Sequence, residues 1–159
     1  MGRLYGEVFM DCTEGRIGRV FVLRIDHGED ILETLLQCIR EKEIFCGTVQ
    51  VLGALGKGQM VTGSEEPVLP PLPHWEKVDG GWDIFGVGTI SWGEDGPHLH
   101  LHSAVGRGTR CLAGCLRDQA QVYIVVEAVI LEIDGIHTVR TPDETTGLTL
   151  PRFLPGNPL

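Results

Sequence analysis

Basic residues are in short supply. The chain carries 13 Lys and Arg against 22 Asp and Glu, a formal charge of −9 over 159 residues. A nucleic-acid binder draws much of its affinity from neutralised phosphates and shows a basic footprint. The average field here would repel DNA. Long apolar runs are lacking too, and none approaches the ~20 residues of a membrane helix. The opening MGRLYGEVFM has a single Arg and no long apolar core, so no secretory signal is read there and the cytoplasm is the expected compartment. Cysteine is sparse and odd in number, with five at Cys12, Cys38, Cys46, Cys111 and Cys115. That pattern speaks against a disulfide framework and for reduced thiols. Phosphate-cradling loops are missing as well. GALGKG and GVGTISWG are rich in glycine, but neither has the strand–GxGxxG–helix context or the Gly-Lys-Ser/Thr ending. Ser91 and Ser103 lack the setting of a nucleophile elbow.

What is present is the composition of an ordinary globular protein, 42% hydrophobic and 22% charged, at a length that suits one domain. RIGRVFVLRI, residues 16–25, reads as a strand. The period then changes. Ile31, Leu32, Leu35, Leu36 and Ile39 form the stripe of an amphipathic helix, with Glu29 and Asp30 at its positive end and Arg40 and Lys42 near the other. The rest is mostly β: GTVQVLGAL, GQMVTG, WDIFGVGTISW, HLHLHSAVG and QVYIVVEAVILEI. GKG at 56–58 is expected to be a tight turn, and SEEPVLPPLPHWEKVDGG at 64–81, with four prolines, a surface excursion. His74, Trp75 and Glu76 are read as part of that loop. One helix followed by many antiparallel strands makes an α+β domain. Residues 1–15 are taken as an N-terminal extension, 16–150 as the domain and 151–159 as a tail that is poorly ordered unless a neighbour holds it.

Half of the six histidines fall in GPHLHLHSAVG, at His98, His100 and His102. Alternate strand residues share a face, so the imidazoles stand together while Leu99 and Leu101 enter the core. Three readings stay open. Two imidazoles at i and i+2 can converge on one ion, and a hairpin back through RCLAGCLRD would offer Cys111 or Cys115 as a third ligand. The face can instead be a bare strand surface. It can also handle protons with Glu94, Asp95 or Glu127 as partner.

The order LRIDHGEDILETLLQCIREKEI, VQVLGAL, IFGVGTIS, GPHLHLHSAVG, LAGCL, VEAVILEI and RTPDETTGL resembles the PPC domain, the plant and prokaryote conserved domain, in its stand-alone prokaryotic type. The resemblance implies a small α+β domain with a curved, mostly antiparallel sheet, assembled as a homotrimer and distantly similar in fold to acetolactate decarboxylase. It also implies a zinc site built from His-x-His and a later Gly-Gly-His-Leu. Carried onto this chain, the first motif falls on His100 and His102 and the second on AGCL, so Cys115 takes the third-ligand position. His98 is a candidate further ligand, an outer supporting group or a spectator, and Cys111 ranks below it. Arg140 matches a family arginine, with a structural ion pair or anion binding as its task. The function expected is a homotrimeric zinc-binding module with a small-molecule or protein partner. A zinc-dependent lyase or hydrolase using Glu94 or Glu127 is the first alternative. A DNA-associated regulator is the second, although the AT-hook of the plant members is absent and GRGTR at 106–110 reads as a turn.

Overall fold

The computed structural model describes residues 11–154. In chain order the elements are β1 (Arg16–Asp26), α1 (Ile31–Glu41), β2 (Gly47–Ser64), β3 (Pro73–Gly93), β4 (Gly96–Arg107), β5 (Arg110–Leu116), β6 (Gln121–Asp134), β7 (His137–Asp143) and β8 (Leu148–Leu154). The first six strands form one antiparallel sheet in the order β1-β6-β2-β3-β4-β5, and β7 and β8 form a separate hairpin. This is the expected α+β domain with a single helix among the described residues.

The helix begins where its chemistry directs. The Asp30 carboxylate accepts from the backbone N–H groups of Leu32 and Glu33 at 2.9 and 3.0 Å, satisfying two donors that the first turn cannot. Ile31, Leu35 and Ile39 are fully buried, each worth roughly 1.5–3 kcal/mol in removed apolar surface. They seat α1 against β4 and β6. The far end is held by Arg19 of β1, whose guanidinium donates to the Lys42 carbonyl at 2.9 Å. The same group grips Glu132 of β6 with two contacts, at 2.6 and 2.7 Å.

The sheet is curved by β2. Its first half lies between β3 and β6, and its far end also pairs with β5, with Met60 opposite Leu116 and Val61 opposite Cys115. Strands β2, β3, β4 and β5 therefore close into a small barrel-like ring. Three sequence expectations are corrected here. GKG at 56–58 is no turn: β2 runs through it, with a register shift at Leu55/Lys57 that bends the strand. Likewise, His74, Trp75 and Glu76 lie in β3, paired to the end of β2, and the loop is confined to residues 65–72. Residues 151–154, expected as tail, form part of β8 and pair with β7. Residues 1–10 of the expected extension and 155–159 of the tail lie outside the described residues.

The Asp143–Gly147 turn explains why RTPDETTGL makes a hairpin. The Asp143 carboxylate accepts from the backbone N–H and hydroxyl of Thr146 at 2.9 and 2.7 Å, and Gly147 takes the left-handed φ of +68°.

The buried Glu132 carboxyl is held below its ordinary 4.5, first by the hydrogen bond from Arg19, against the opposing effect of burial. A depressed carboxyl stabilises the fold above its unfolded value and loses that contribution as pH falls through the folded one. Chemical denaturation of Glu132→Gln should thus give a lower stability than wild type at neutral pH. The two proteins should converge as pH falls below 4.5.

Candidate metal centre

In β3 every second residue from Gly81 to Thr89 is exposed and the intervening ones are buried, so the sheet has a clear outer face. Direct cross-strand partners share a face, and β4 is registered on β3 with His98 opposite Ser91, His100 opposite Thr89 and His102 opposite Val87. All three imidazoles therefore stand on the outer face, while Leu101 is buried in the core and Leu99 packs against it.

The β4–β5 hairpin turns at Gly108 and Thr109, within GRGTR, and brings Cys115 directly opposite His102. The ring nitrogens of His100 and His102 and the Cys115 sulfur all lie within 4.8 Å of one another. The two rings meet edge to face, their centroids 4.8 Å apart. Glycine makes this closure feasible. A Cβ on Gly114 would run into the Val61 carbonyl of β2, so only glycine lets β5 close on β2 with Cys115 next in line.

The other sequence candidates stand apart from this cluster. His98 is engaged by Asp95, Nε2 to Oδ1 2.8 Å, at the exposed β3–β4 turn. Cys111 lies opposite Gly106, four residues along β5 from Cys115 and so about 13 Å away at a strand's rise. Glu94 sits exposed in the two-residue β3–β4 turn, and Glu127 lies on β6, three strands from β4. Neither carboxylate is among the groups that act electrostatically on His100 or Cys115.

Those groups are cationic. Burial lowers the His100 pKa below 6.5, helped by Arg140, His102 and Arg117. It is therefore neutral, with a lone pair to give, at physiological pH. Burial raises the Cys115 thiol above 9.0 while Arg117 and Arg140 pull the other way. Sequence reasoning singled out Arg140 for an ion pair or for anion binding. Among the described residues it forms no ion pair; its guanidinium donates to the backbone carbonyl of Thr149 in β8 at 3.0 Å. Arg117 was not singled out at all. It follows the AGCL motif directly, and its position beside the site depends on the β2–β5 closure.

The donor set fits a divalent transition metal. Zinc takes nitrogen at about 2.0–2.1 Å and sulfur at about 2.3 Å, which puts tetrahedral donors roughly 3.3–3.8 Å apart. A contact set already within 4.8 Å needs only small side-chain rotations to reach that geometry. Two imidazoles and a thiolate also favour zinc over magnesium or calcium, which prefer oxygen.

A family model for the Plants and Prokaryotes Conserved (PCC) domain matches residues 12–134. The chain belongs to this family. Solved structures of the same fold include a metal-containing protein from Archaeoglobus fulgidus, 24% identical, with a TM-score of 0.79 over 89% of this chain and 98% of that one. A plant- and prokaryote-conserved (PPC) protein from Pyrococcus horikoshii is 21% identical, with a TM-score of 0.76 over 89% and 96% of the two chains. A Bacteroides thetaiotaomicron protein named as a candidate DNA-binding protein is 22% identical, with a TM-score of 0.73 over 87% and 97%. At these identities the likeness carries the fold. No curated protein matches the chain by sequence. In this chain His100, His102 and Cys115 come together at the open end of the β4–β5 hairpin.

Alkylation of the native metal-free protein at neutral pH should label exposed Cys12 and Cys111 first and buried Cys46 and Cys115 last. Because its thiol titrates above 9.0, Cys115 should gain reactivity only in alkaline solution. Peptide mass spectrometry across a pH series checks both orders. Early labelling of Cys115 would contradict its burial.

Proposed function

We propose that this PCC-domain protein is a cytoplasmic homotrimeric module that binds one zinc ion per subunit. Its ligands are His100, His102 and Cys115, and the fourth position is left to water or a small anionic ligand. One observation carries the reading: donors from two adjacent strands converge within 4.8 Å, and among the described residues no carboxylate is paired with them. Two arginines beside the site favour an anion in the open position.

The trimer is supported by what the outer face exposes. Val22 is 77% exposed, Phe85 61%, Leu52 55% and Val87 47%. Register links them into rows across the sheet, and the row Val22–Val129–Gln50–Val87 ends on His102 and Cys115. Large exposed apolar side chains grouped on one face, though interspersed with polar ones such as Gln50, favour an interaction surface, and a second copy of the chain seated on it would cover the metal strand.

A zinc-dependent lyase or hydrolase would need a general acid or base at the ion. Glu94 and Glu127 stand away from it, which leaves the binding-module reading ahead. A DNA-associated role has the net charge of −9 against it.

Tag-free protein should carry about one zinc per chain by elemental analysis, and His100→Ala and Cys115→Ala should lose it, while His98→Ala keeps it. Cys115→His should retain the ion, since imidazole is an equivalent donor. Zinc binding must displace the thiol proton, so wild-type affinity should climb with pH above neutrality by up to about tenfold per unit. The climb should be shallower in Cys115→His. Metal contents unchanged in both alanine variants would refute the ligand set. Light scattering should give a trimer mass for wild type and a smaller species for Phe85→Glu. A wild-type monomer would refute the assembly.

A further inference from the structure

The outer face of β3 should remain exposed at Ser91, two residues beyond Thr89 on the same side. It does not, because Ser91 is only 3% exposed. The β7–β8 hairpin, which follows the segment that the family model matches, lies over this end of the sheet. Between the hairpin and the ends of β2, β3 and β6 there is a cavity of about 210 Å³.

Its walls are mainly carbon, with Ile90, Ile133, Ile136 and Phe153 lining it alongside Ser91 and Arg140. The buried Ser91 hydroxyl has no hydrogen-bond partner among the described residues, an arrangement that costs stability unless something in the cavity meets it. Arg140 spends one N–H on the Thr149 carbonyl, which leaves most of its five-donor fork free to bind elsewhere. Thr138 and Cys46 also reach the cavity but contact each other, Oγ1 to Sγ 3.5 Å, so they call for no further partner.

The size and lining narrow the occupant. An apolar cavity of about 150 Å³ takes a six-carbon ring, so this one has room for about eight heavy atoms. Water is a poor filling, since each molecule needs two to four polar partners and the walls offer few. A guanidinium fork matches a planar carboxylate in a bidentate way. Inorganic phosphate would satisfy the fork but leave the carbon walls empty.

We propose that this cavity binds a small organic anion, a carboxylate on a short apolar chain. The carboxylate engages Arg140, the chain lies among Ile90, Ile133, Ile136 and Phe153, and the Ser91 hydroxyl donates to the ligand. Arg140 also stands near the proposed metal site, but none of these residues is a proposed ligand of the ion, so the cavity can be tested on metal-free protein.

The test uses the full chain after treatment with a chelator, so that failure of the metal site and failure of this one are read separately. Isothermal titration calorimetry compares hexanoate and 4-methylpentanoate with acetate, 1-hexanol and inorganic phosphate. The two longer acids should bind at one per chain, with acetate, hexanol and phosphate weaker by about tenfold or more. Arg140→Gln should bring hexanoate down to the level of hexanol, and Ser91→Ala should weaken it several-fold. Circular dichroism melts of both variants confirm that they are folded. Should either variant be unfolded, ligand-observed saturation-transfer NMR on wild type, with hexanol competing against hexanoate, replaces it. Three results would overturn the proposal: no binding of the longer acids, hexanol or phosphate binding as tightly as hexanoate, or a folded Arg140→Gln protein that binds hexanoate as wild type does.

Discussion

The close approach of β5 to β2 at Gly114 is the constraint on which the rest of the molecule depends. A strand of 18 residues, β2, is long enough to pair with β3 throughout, with β6 along its first part and with β5 at its far end. That reach closes only if β5 can come against the Val61 carbonyl, and a side chain at 114 would fill that space. The closure sets two things at once. It buries Met60 and Leu116 inside, which gives the ring its core. It also turns the next residue, Cys115, outward beside His102. Core and candidate site are thus produced by one backbone contact.

The electrostatics around the site oppose the character of the whole chain. Net charge is −9, yet the charged groups acting on His100 and Cys115 are Arg140, Arg117 and the neighbouring imidazole. No Asp or Glu is among those groups. A local positive field over a soft donor set does two things. It stabilises a thiolate against the desolvation that opposes it, and it disfavours protonated imidazole. Both changes move the donors toward the forms that bind a metal. The same field at long range would do little for DNA, where a broad basic surface is required.

Much of this was legible from the residues, and the reasons are local. The helix announced itself through Ile31, Leu35 and Ile39 at helical spacing behind Asp30, because periodicity and capping act within a few residues. The shared face of the three histidines followed from strand alternation alone. Cys115 rested on resemblance to a family pattern, and chain order alone could not choose it over Cys111. Register separates the two in space: Cys115 lies opposite His102 and Cys111 opposite Gly106. What stayed hidden was whatever depends on contacts across the fold. GKG resembled a turn since glycine marks turns and bulges alike. Residues 73–77 resembled a loop because of the prolines before them, although β2 extends far enough to pair with them. The β7–β8 hairpin was obscured because β7, HTVRTPD, is mostly polar, Pro142 and Pro151 interrupt its two strands, and its turn chemistry, Asp143 on Thr146, lies in a polar run.

That hairpin changes how the outer face should be understood. Without it, Ser91 would be one more solvated residue on an alternating strand, and Arg140 would have no fixed place beside His100. With it, a buried hydroxyl, a guanidinium and a carbon-lined space share one end of the sheet, while the imidazoles and thiol occupy the neighbouring stretch of β4 and β5. Arg140 borders both, through its place on the cavity wall and its electrostatic effect on His100. An anion held by Arg140 would neutralise part of the field that, after burial, keeps His100 unprotonated, and a divalent ion on His100 would compete with Arg140 for the same anion's charge. The two places are therefore coupled by charge whatever occupies them, and the sign of that coupling depends on whether the anion reaches the ion or stops at the arginine.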